Sequence, residues 1–230
     1  MKEYYTQFAY ERFNKKRKYI FGSYSKFYKK KINFKNALVI DYGCGNFTSC
    51  GTYSHYQQHN NNADKLYGYE TDIDLKKQLI NLNKYYDFYQ DDNFLNQCDF
   101  IVANQVYEHL DKNERIKFIK RSYELLKEEG MLVLAYPFSL YNMNFKYFWE
   151  DITHNPVGVE AEAGLINTLG FETELYVGGL KAEPFSLFEN IICLARNLLL
   201  LFPPFWITLI IAKKKKLVAG LGFEPRTFRL

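Results

Sequence analysis

The chain has 230 residues, enough for one α/β domain with a sizeable core and modest additions. Its four cysteines (Cys44, Cys50, Cys98, Cys193) form no C-x-x-C pair and the N-terminus shows no signal-peptide pattern, which argues against a disulfide framework and for a reducing, cytoplasmic setting. The net charge of +4 is polarised: residues 1–36 carry 11 basic and 2 acidic groups, residues 213–230 carry 6 and 1, and the body between them is left at −10. An acidic body is a poor nucleic-acid surface, because affinity there comes mainly from neutralising phosphates. Tyr and Phe occur 20 times each beside abundant Lys and Asn, a bias that A- and T-rich coding produces, so no aromatic binding face is inferred.

From Glu3 to Lys31 the aromatics recur at helical spacing (Tyr5, Phe8; Tyr24, Phe27, Tyr28) with an interruption at Gly22. The pattern predicts two short amphipathic helices capping the domain over residues 1–35, with Lys15–Lys18 and Lys29–Lys31 on the wet side. Ala37 to Ile40 is a short apolar run of the kind that forms a strand buried on both faces. It stops at Asp41, and Gly43 and Gly45 follow. Glycine at those positions lets the backbone turn sharply and come close to a ligand. A strand, a glycine loop and a helix make the nucleotide-binding half of a doubly wound fold. A dinucleotide site wants G-x-G-x-x-G, and its third glycine is Thr48 here. Phe47 to Gln58 is predicted to be the first helix, whose N-terminus faces the ligand's carboxylate, and His59 to Asp64 a loop. Lys65 to Glu70 is predicted to be the second strand. Glu70 lies 25 residues past Gly45, near the spacing at which an acid accepts from ribose hydroxyls. Asp72 is the rival, and strand phase favours Glu70.

Ile73 to Lys84 is predicted helical, and Tyr86 to Gln90 a third strand ending at Asp91-Asp92. Cys98 to Asn104 reads as a buried strand, followed by Gln105-Val106-Tyr107-Glu108-His109-Leu110 as the start of a helix. Asp111 to Lys127 has apolar positions at Ile116, Ile119, Tyr123 and Leu126, and Lys127-Glu128-Glu129-Gly130 closes it. Met131 to Pro137 is predicted to be the fifth strand, Phe145 to Pro156 a loop, Glu160 to Leu169 a helix, and Gly170 to Val177 the sixth strand.

In this order, D-x-G-C-G at 41–45, the aspartate-led strand with its E-H-L continuation, the strand ending in Pro137, the D-x-T-H-like segment at 151–154 and G-F-E at 170–172 resemble the class I methyltransferases that use S-adenosylmethionine. The resemblance covers about residues 36–178, plus a seventh strand near Trp206–Lys213. It implies an α/β, Rossmann-like seven-stranded sheet, mostly parallel with an antiparallel last strand and helices on both faces. It also implies S-adenosyl-L-methionine as cofactor, held by Asp41, Gly43, Cys44, Gly45 and Glu70, with Asp91 on the adenine amino group and Asn104 and Gln105 at the methionine end. Pro is replaced by Glu128-Glu129 where the family turns into its fifth strand.

For an oxygen acceptor a base must take the proton. His154, in a loop expected above the carboxyl edge of the sheet, is the first candidate and His109 the second. Gln105, Glu108 and His109 would share one helical face, where some relatives, including ubiquinone-biosynthesis and small-RNA 2′-hydroxyl enzymes, carry E-x-x-E-H and bind a divalent ion. Gln105 removes one charged oxygen from that set, so no metal site is assigned.

Residues 36–213 thus form the expected methyltransferase domain, with an apolar insertion at about 184–204 and a basic tail at 214–230. Leu198 to Ala212 runs without a charge, but Pro203-Pro204 splits it, and a spanning helix needs about 20 apolar residues. Contact of 188–216 with the inner face of a membrane, a homodimer seam and core burial all remain open for this stretch. Gly222-Phe223-Glu224-Pro225 resembles a translated T-arm of a transfer RNA gene, and the tail is assigned no function. The expected activity is O-methylation of a small molecule, glycan or lipid-linked intermediate, without a nucleic-acid partner. A metal-assisted RNA 2′-O-methyltransferase and a non-catalytic binding module are the rivals.

Overall fold

The computed structural model describes residues 18–45, 65–137, 159–180 and 207–216. Val39–Tyr42 form β2, Leu66–Tyr69 β3, Cys98–Asn104 β4 and Leu126–Pro137 β5. These four lie parallel and in the order β5-β4-β2-β3. Every residue of β2 is buried, as a strand covered on both faces requires. Asp99 ties β4 to the start of β2: its Oδ2 accepts the Leu38 N–H at 2.8 Å, and its own N–H donates to the Leu38 carbonyl at 3.0 Å.

Beyond β5 the sheet continues through Ile207–Lys214 (β7) and Phe171–Leu180 (β6). β7 runs antiparallel to both neighbours, as the resemblance implies. The far edge is Lys18–Ser23 (β1), parallel to β6. The sheet therefore has seven strands, but not the seven that the sequence suggests. Residues 18–23 were expected to be helical; they extend the sheet instead, and only Tyr24–Lys31 (α1) is a helix in the described part of that cap. Lys18 on β1 and Lys31 on α1 both pair with Glu174 on β6, a charge complement that a helical reading of the N-terminus does not reveal.

The expected third strand is the other correction. Tyr85 makes a single bridge to Gly68, and the chain then turns. Asp87 drives the turn: its Oδ1 accepts the N–H groups of Tyr89 (3.3 Å) and Gln90 (3.2 Å), the local competition that makes aspartate a turn residue.

Ile73–Asn81 (α2) is capped by Asp72, whose Oδ1 accepts from the N–H groups of Asp74 and Leu75 at 3.0 Å each. Lys112–Leu125 (α3) starts in a capping box, with Asp111 Oδ1 accepting from Glu114 N–H and Glu114 Oε2 from Asp111 N–H. Its buried face is Arg115, Phe118, Ile119, Ser122 and Leu125. Of the four apolar positions expected inward, only Ile119 is buried within the helix; the face is rotated by about one residue, and Leu126 already belongs to β5. Residues 127–130 loop out of the β4–β5 ladder between its Cys98↔Leu126 and Phe100↔Met131 pairs. Val159–Thr168 (α4) precedes β6.

One face of the sheet packs Ile101, Leu132, Leu134 and Ile210 against Phe118 and Ile119 of α3 and Ala163 and Ile166 of α4. The other packs Val39, Val102, Val133 and Leu209 against Tyr28 of α1 and Leu79 of α2. Much of the aromatic excess is core: Tyr42, Tyr69, Phe88 and Phe118 pack ring on ring beneath β2 and β3. Cys44 and Cys98 are buried free thiols, and burial pushes the Cys98 pKa up to about 12. Among the described residues, no helix is long and apolar enough to cross a membrane. The expected first helix (47–58), the loop 145–156, the insertion at 184–204, Cys50, Cys193 and residues 217–230 lie outside the described residues.

Candidate donor site at the carboxyl edge of the sheet

β2, β3, β4 and β5 all end at one edge. The chain leaves β2 for β3 on one side and returns for β4 on the other, so the strand order reverses between β2 and β4. Ligands of open α/β sheets bind outside the carboxyl ends at such a reversal. The loops there are 43–45 and 105–109.

Gly43 and Gly45 have φ of +70° and +57°, where an L side chain is strained. At Gly43 a second reason for glycine joins the sharp turn. A Cβ there would lie 2.5 Å from Val106 Cγ2 and 2.7 Å from Cγ1. The space is taken by the turn after β4, so this glycine lets two loops pack together. The N–H groups of Gly43 and Cys44 donate to the Tyr69 carbonyl at 2.8 and 3.3 Å. Gly45 N–H donates to Glu70 Oε2 at 2.9 Å. The glycine loop is thus held by the end of β3 through three successive N–H groups.

Glu70 stands just past β3. Its Oε1 also accepts from the N–H groups of Thr71 (2.8 Å) and Asp72 (3.2 Å). A carboxylate has about four acceptor positions, so three backbone bonds orient the group and leave capacity for a ligand hydroxyl. Asp72 is occupied as the cap of α2. Glu70 therefore faces the glycine loop, whereas Asp72 faces the start of α2. Asp41 is fully buried within β2 and Cys44 fully buried in the loop; both stand beneath the edge.

Asp91 sits in the turn that replaces the third strand. Its Oδ1 accepts the Asn93 N–H at 2.9 Å, and its carbonyl accepts from Arg121 Nη2 at 2.8 Å and from the Tyr86 hydroxyl. Arg121, on α3, also donates to the Phe88 carbonyl (2.9 Å) and to Asp92 Oδ1 (2.7 Å). Sequence reading gave Arg121 no role, yet it fixes the whole 88–92 turn from below.

Asn104 closes β4 opposite Ala135. Gln105 leaves the strand at φ +59°, its N–H donating to the Ala135 carbonyl at 2.7 Å. The expected helix at 105–110 is one 3-10 turn over Tyr107–His109. Gln105 is outside that turn, Glu108 is buried and His109 is exposed, so the shared face that an i, i+3, i+4 ligand set needs does not form. His109 stands at the carboxyl edge; His154 lies outside the described residues.

Beneath the 3-10 turn is a polar cluster that the sequence did not disclose. The Tyr107 hydroxyl donates to Glu162 Oε2 on α4 at 2.8 Å. Arg115 on α3 reaches Glu162 Oε1 (3.5 Å) with Nη1 and the Tyr107 carbonyl (3.3 Å) with Nε, its guanidinium 5.4 Å from the Tyr107 ring centre. Burial pushes the Glu162 carboxyl up, against the Tyr107 hydrogen bond and the Arg115 charge. The same burial, reinforced by Glu162, holds the Tyr107 phenol well above its ordinary value.

A sequence model described as "Methyltransferase domain" matches residues 10–167, more than half of the chain. The chain belongs to this methyltransferase family. No curated protein sequence matches it significantly. Among solved structures, a SAM-dependent methyltransferase from Archaeoglobus fulgidus is 22% identical, with TM-score 0.55 over 82% of this chain and 89% of the other. A putative S-adenosylmethionine-dependent methyltransferase from Listeria monocytogenes is 15% identical, with TM-score 0.52 over 84% and 98%. A Haloferax volcanii complex of the Trm112 methyltransferase activator with a putative methyltransferase is 10% identical, with TM-score 0.54 over 84% and 89%. These likenesses concern the fold. The enzyme is a methyltransferase. Two left-handed glycines and an oriented carboxylate meet at the reversal of strand order, a setting that suits the S-adenosyl-L-methionine that the sequence resemblance implies.

Proposed function

We propose that the enzyme methylates an oxygen of a small molecule, a glycan or a lipid-linked intermediate, with residues 36–213 and the strand and helix at 18–31 acting as one domain. The Glu70–Gly45 bond is the observation that supports the placement of the donor. Glu70 accepts from the ribose hydroxyls, Asp91 lies toward the adenine amino group, and the backbone of Gly43, Cys44 and Gly45 lines the approach above buried Asp41. Asn104 and Gln105 flank the methionine end. S-adenosylmethionine, when bound, supplies a methyl group on a positively charged sulfur. The residues' main contribution is to hold donor and acceptor oxygen in line. His154, with His109 as the second candidate, takes the acceptor's proton.

What supports this acceptor class is the charge of −10 on the body between residues 36 and 213, which disfavours a polyphosphate partner. Two experiments test the reading. Calorimetry with the purified protein is expected to show donor binding. Metabolite and RNA-nucleoside profiling of a strain lacking the gene is expected to show an unmethylated small molecule, glycan or lipid precursor accumulating. Loss of a methylated nucleoside from RNA, with metabolites unchanged, would overturn the acceptor class.

A further inference from the structure

The 3-10 turn at Tyr107–His109 is wedged between two features far apart in sequence. On one side Val106 fills the space over Gly43. On the other, Tyr107 is held by Glu162 and Arg115, which lie on different helices. We propose that Glu162 and Arg115 are positioning residues for the donor loop, acting through Tyr107 and Val106 on Gly43. The inference rests on the reading that residues 43–45 hold the donor.

Three observations carry it. First, the backbone that leads from β4 into the turn is irregular. Gln105 is in a left-handed conformation and is pinned by one backbone bond to Ala135, while Val106, at φ −134° and ψ −34°, lies outside the regular regions. The orientation of Val106 therefore follows from how Tyr107 is anchored. Second, the anchor grips Tyr107 at both ends, hydroxyl and carbonyl, with a guanidinium near its ring. Such a grip fixes rotation as well as position. Third, the ion pair is nearly buried, with side-chain exposures of 6% for Arg115 and 13% for Glu162. Burying two charges costs most of what their attraction returns, and an apolar pair of similar volume generally stabilises as well. A role in geometry accounts for charges there better than a role in stability does.

The test is donor affinity, measured by calorimetry with S-adenosylmethionine at a temperature where every variant is folded. Tyr107→Phe removes one oxygen and is expected to weaken binding at least fivefold. Its Tm is expected to fall by no more than about 2–4 °C, the size of one hydrogen bond in a chain of this length. Glu162→Gln keeps an acceptor for Tyr107 and is expected to stay within twofold of wild type, whereas Glu162→Leu loses affinity as Tyr107→Phe does. Replacing the pair by Arg115→Met with Glu162→Leu is expected to keep the fold and lose affinity. Should that double variant not fold, Tyr107→Phe decides by the same criterion. Wild-type protein that binds the donor, with Tyr107→Phe binding equally well, overturns the inference and leaves the donor-site reading intact. Wild-type protein that binds no donor overturns that reading, and the inference with it.

Discussion

The Glu70 carboxylate accepts the Gly45 N–H at 2.9 Å, joining the ends of two adjacent strands across 25 residues of sequence. The same carboxylate accepts from Thr71 and Asp72, so its orientation is set by backbone before any ligand arrives. Such preorganisation reduces the ordering cost of binding.

Glu70→Ala is therefore expected to weaken S-adenosylmethionine binding by roughly 1–3 kcal/mol, the penalty for leaving hydroxyl partners unmatched. Asp72→Ala is expected to behave differently: loss of the α2 cap costs about 0.5–2 kcal/mol of stability with donor affinity nearly unchanged. Calorimetry and denaturant unfolding on both variants separate the two roles. An affinity loss confined to Asp72→Ala would reverse the assignment.

Gly43→Val is expected to abolish donor binding, and the cause is Val106. Two effects add at this position: strain of about 1–2 kcal/mol at φ +70° and a clash with a neighbour 2.5 Å from the new Cβ. The smaller change Gly43→Ala isolates them. Combining it with Val106→Ala relieves the clash and leaves the strain, so the pair is expected to recover part of the lost stability and affinity. If the second substitution recovers nothing, the two loops are not in the steric contact described.

How much of this was legible in the sequence depends on whether the deciding interactions are local. β2, β4 and the turn from β3 into α2 follow from runs, caps and acids within a few residues of one another. Strand phase in the sequence places Glu70 at the end of β3, where it accepts the Gly45 N–H, and Asp72 caps the helix that follows. What the sequence concealed depends on distant partners. Residues 18–23 carry helix-spaced aromatics near them and become a strand because β6 offers an open edge and Glu174 offers a charge. The buried face of α3 includes Arg115, which no apolar template selects, because its partner Glu162 comes 47 residues later. The lost third strand was more readable: Asp87 and Asp91 are turn residues at both ends of the expected run, and the apolar pattern outweighed them.

Glu174 carries a testable pH dependence. Burial works to raise its pKa, but hydrogen bonds from Lys18 and Tyr176 and the charge of Lys31 overcome it and hold the carboxyl at about 2. Because the folded value is depressed, the contribution is present above the unfolded value near 4.5 and is lost as pH falls from there through about 2. The groups are partly exposed, so screening limits the effect to about 1 kcal/mol or less. The Tm difference between wild type and Glu174→Gln is expected to be largest near pH 6, to narrow as pH falls and close only below about pH 2, and to shrink in high salt. A gap independent of pH would mean that the ion pairs contribute nothing.

The four lysines at the end of β7, Lys213 to Lys216, do not act alike, and this bears on the membrane contact that the sequence leaves open for residues 188–216, of which Thr208 to Ala212 are buried in the sheet. Lys213 pairs with Glu129. Lys214 is buried, its ammonium donating to Asn96 Oδ1 (2.8 Å) and to the carbonyls of Tyr123 and Leu126 (2.7 Å each) at the end of α3. Burial pushes its pKa down, against the charges of Glu128 and Glu124. Only Lys215 and Lys216 are exposed for lipid. At about 1 kcal/mol per lysine near an anionic surface, changing both to Ser is expected to weaken vesicle binding roughly thirtyfold at low salt. Lys214→Met is expected to lower stability by roughly 1–3 kcal/mol, since it strips donors from buried carbonyls, and to leave vesicle binding as it was. Sedimentation with phosphatidylserine-containing vesicles, beside denaturant unfolding of each variant, reads both effects. Wild-type protein that stays wholly in the supernatant at low salt rules out the membrane contact, and the Lys214 result then stands as a property of the fold alone.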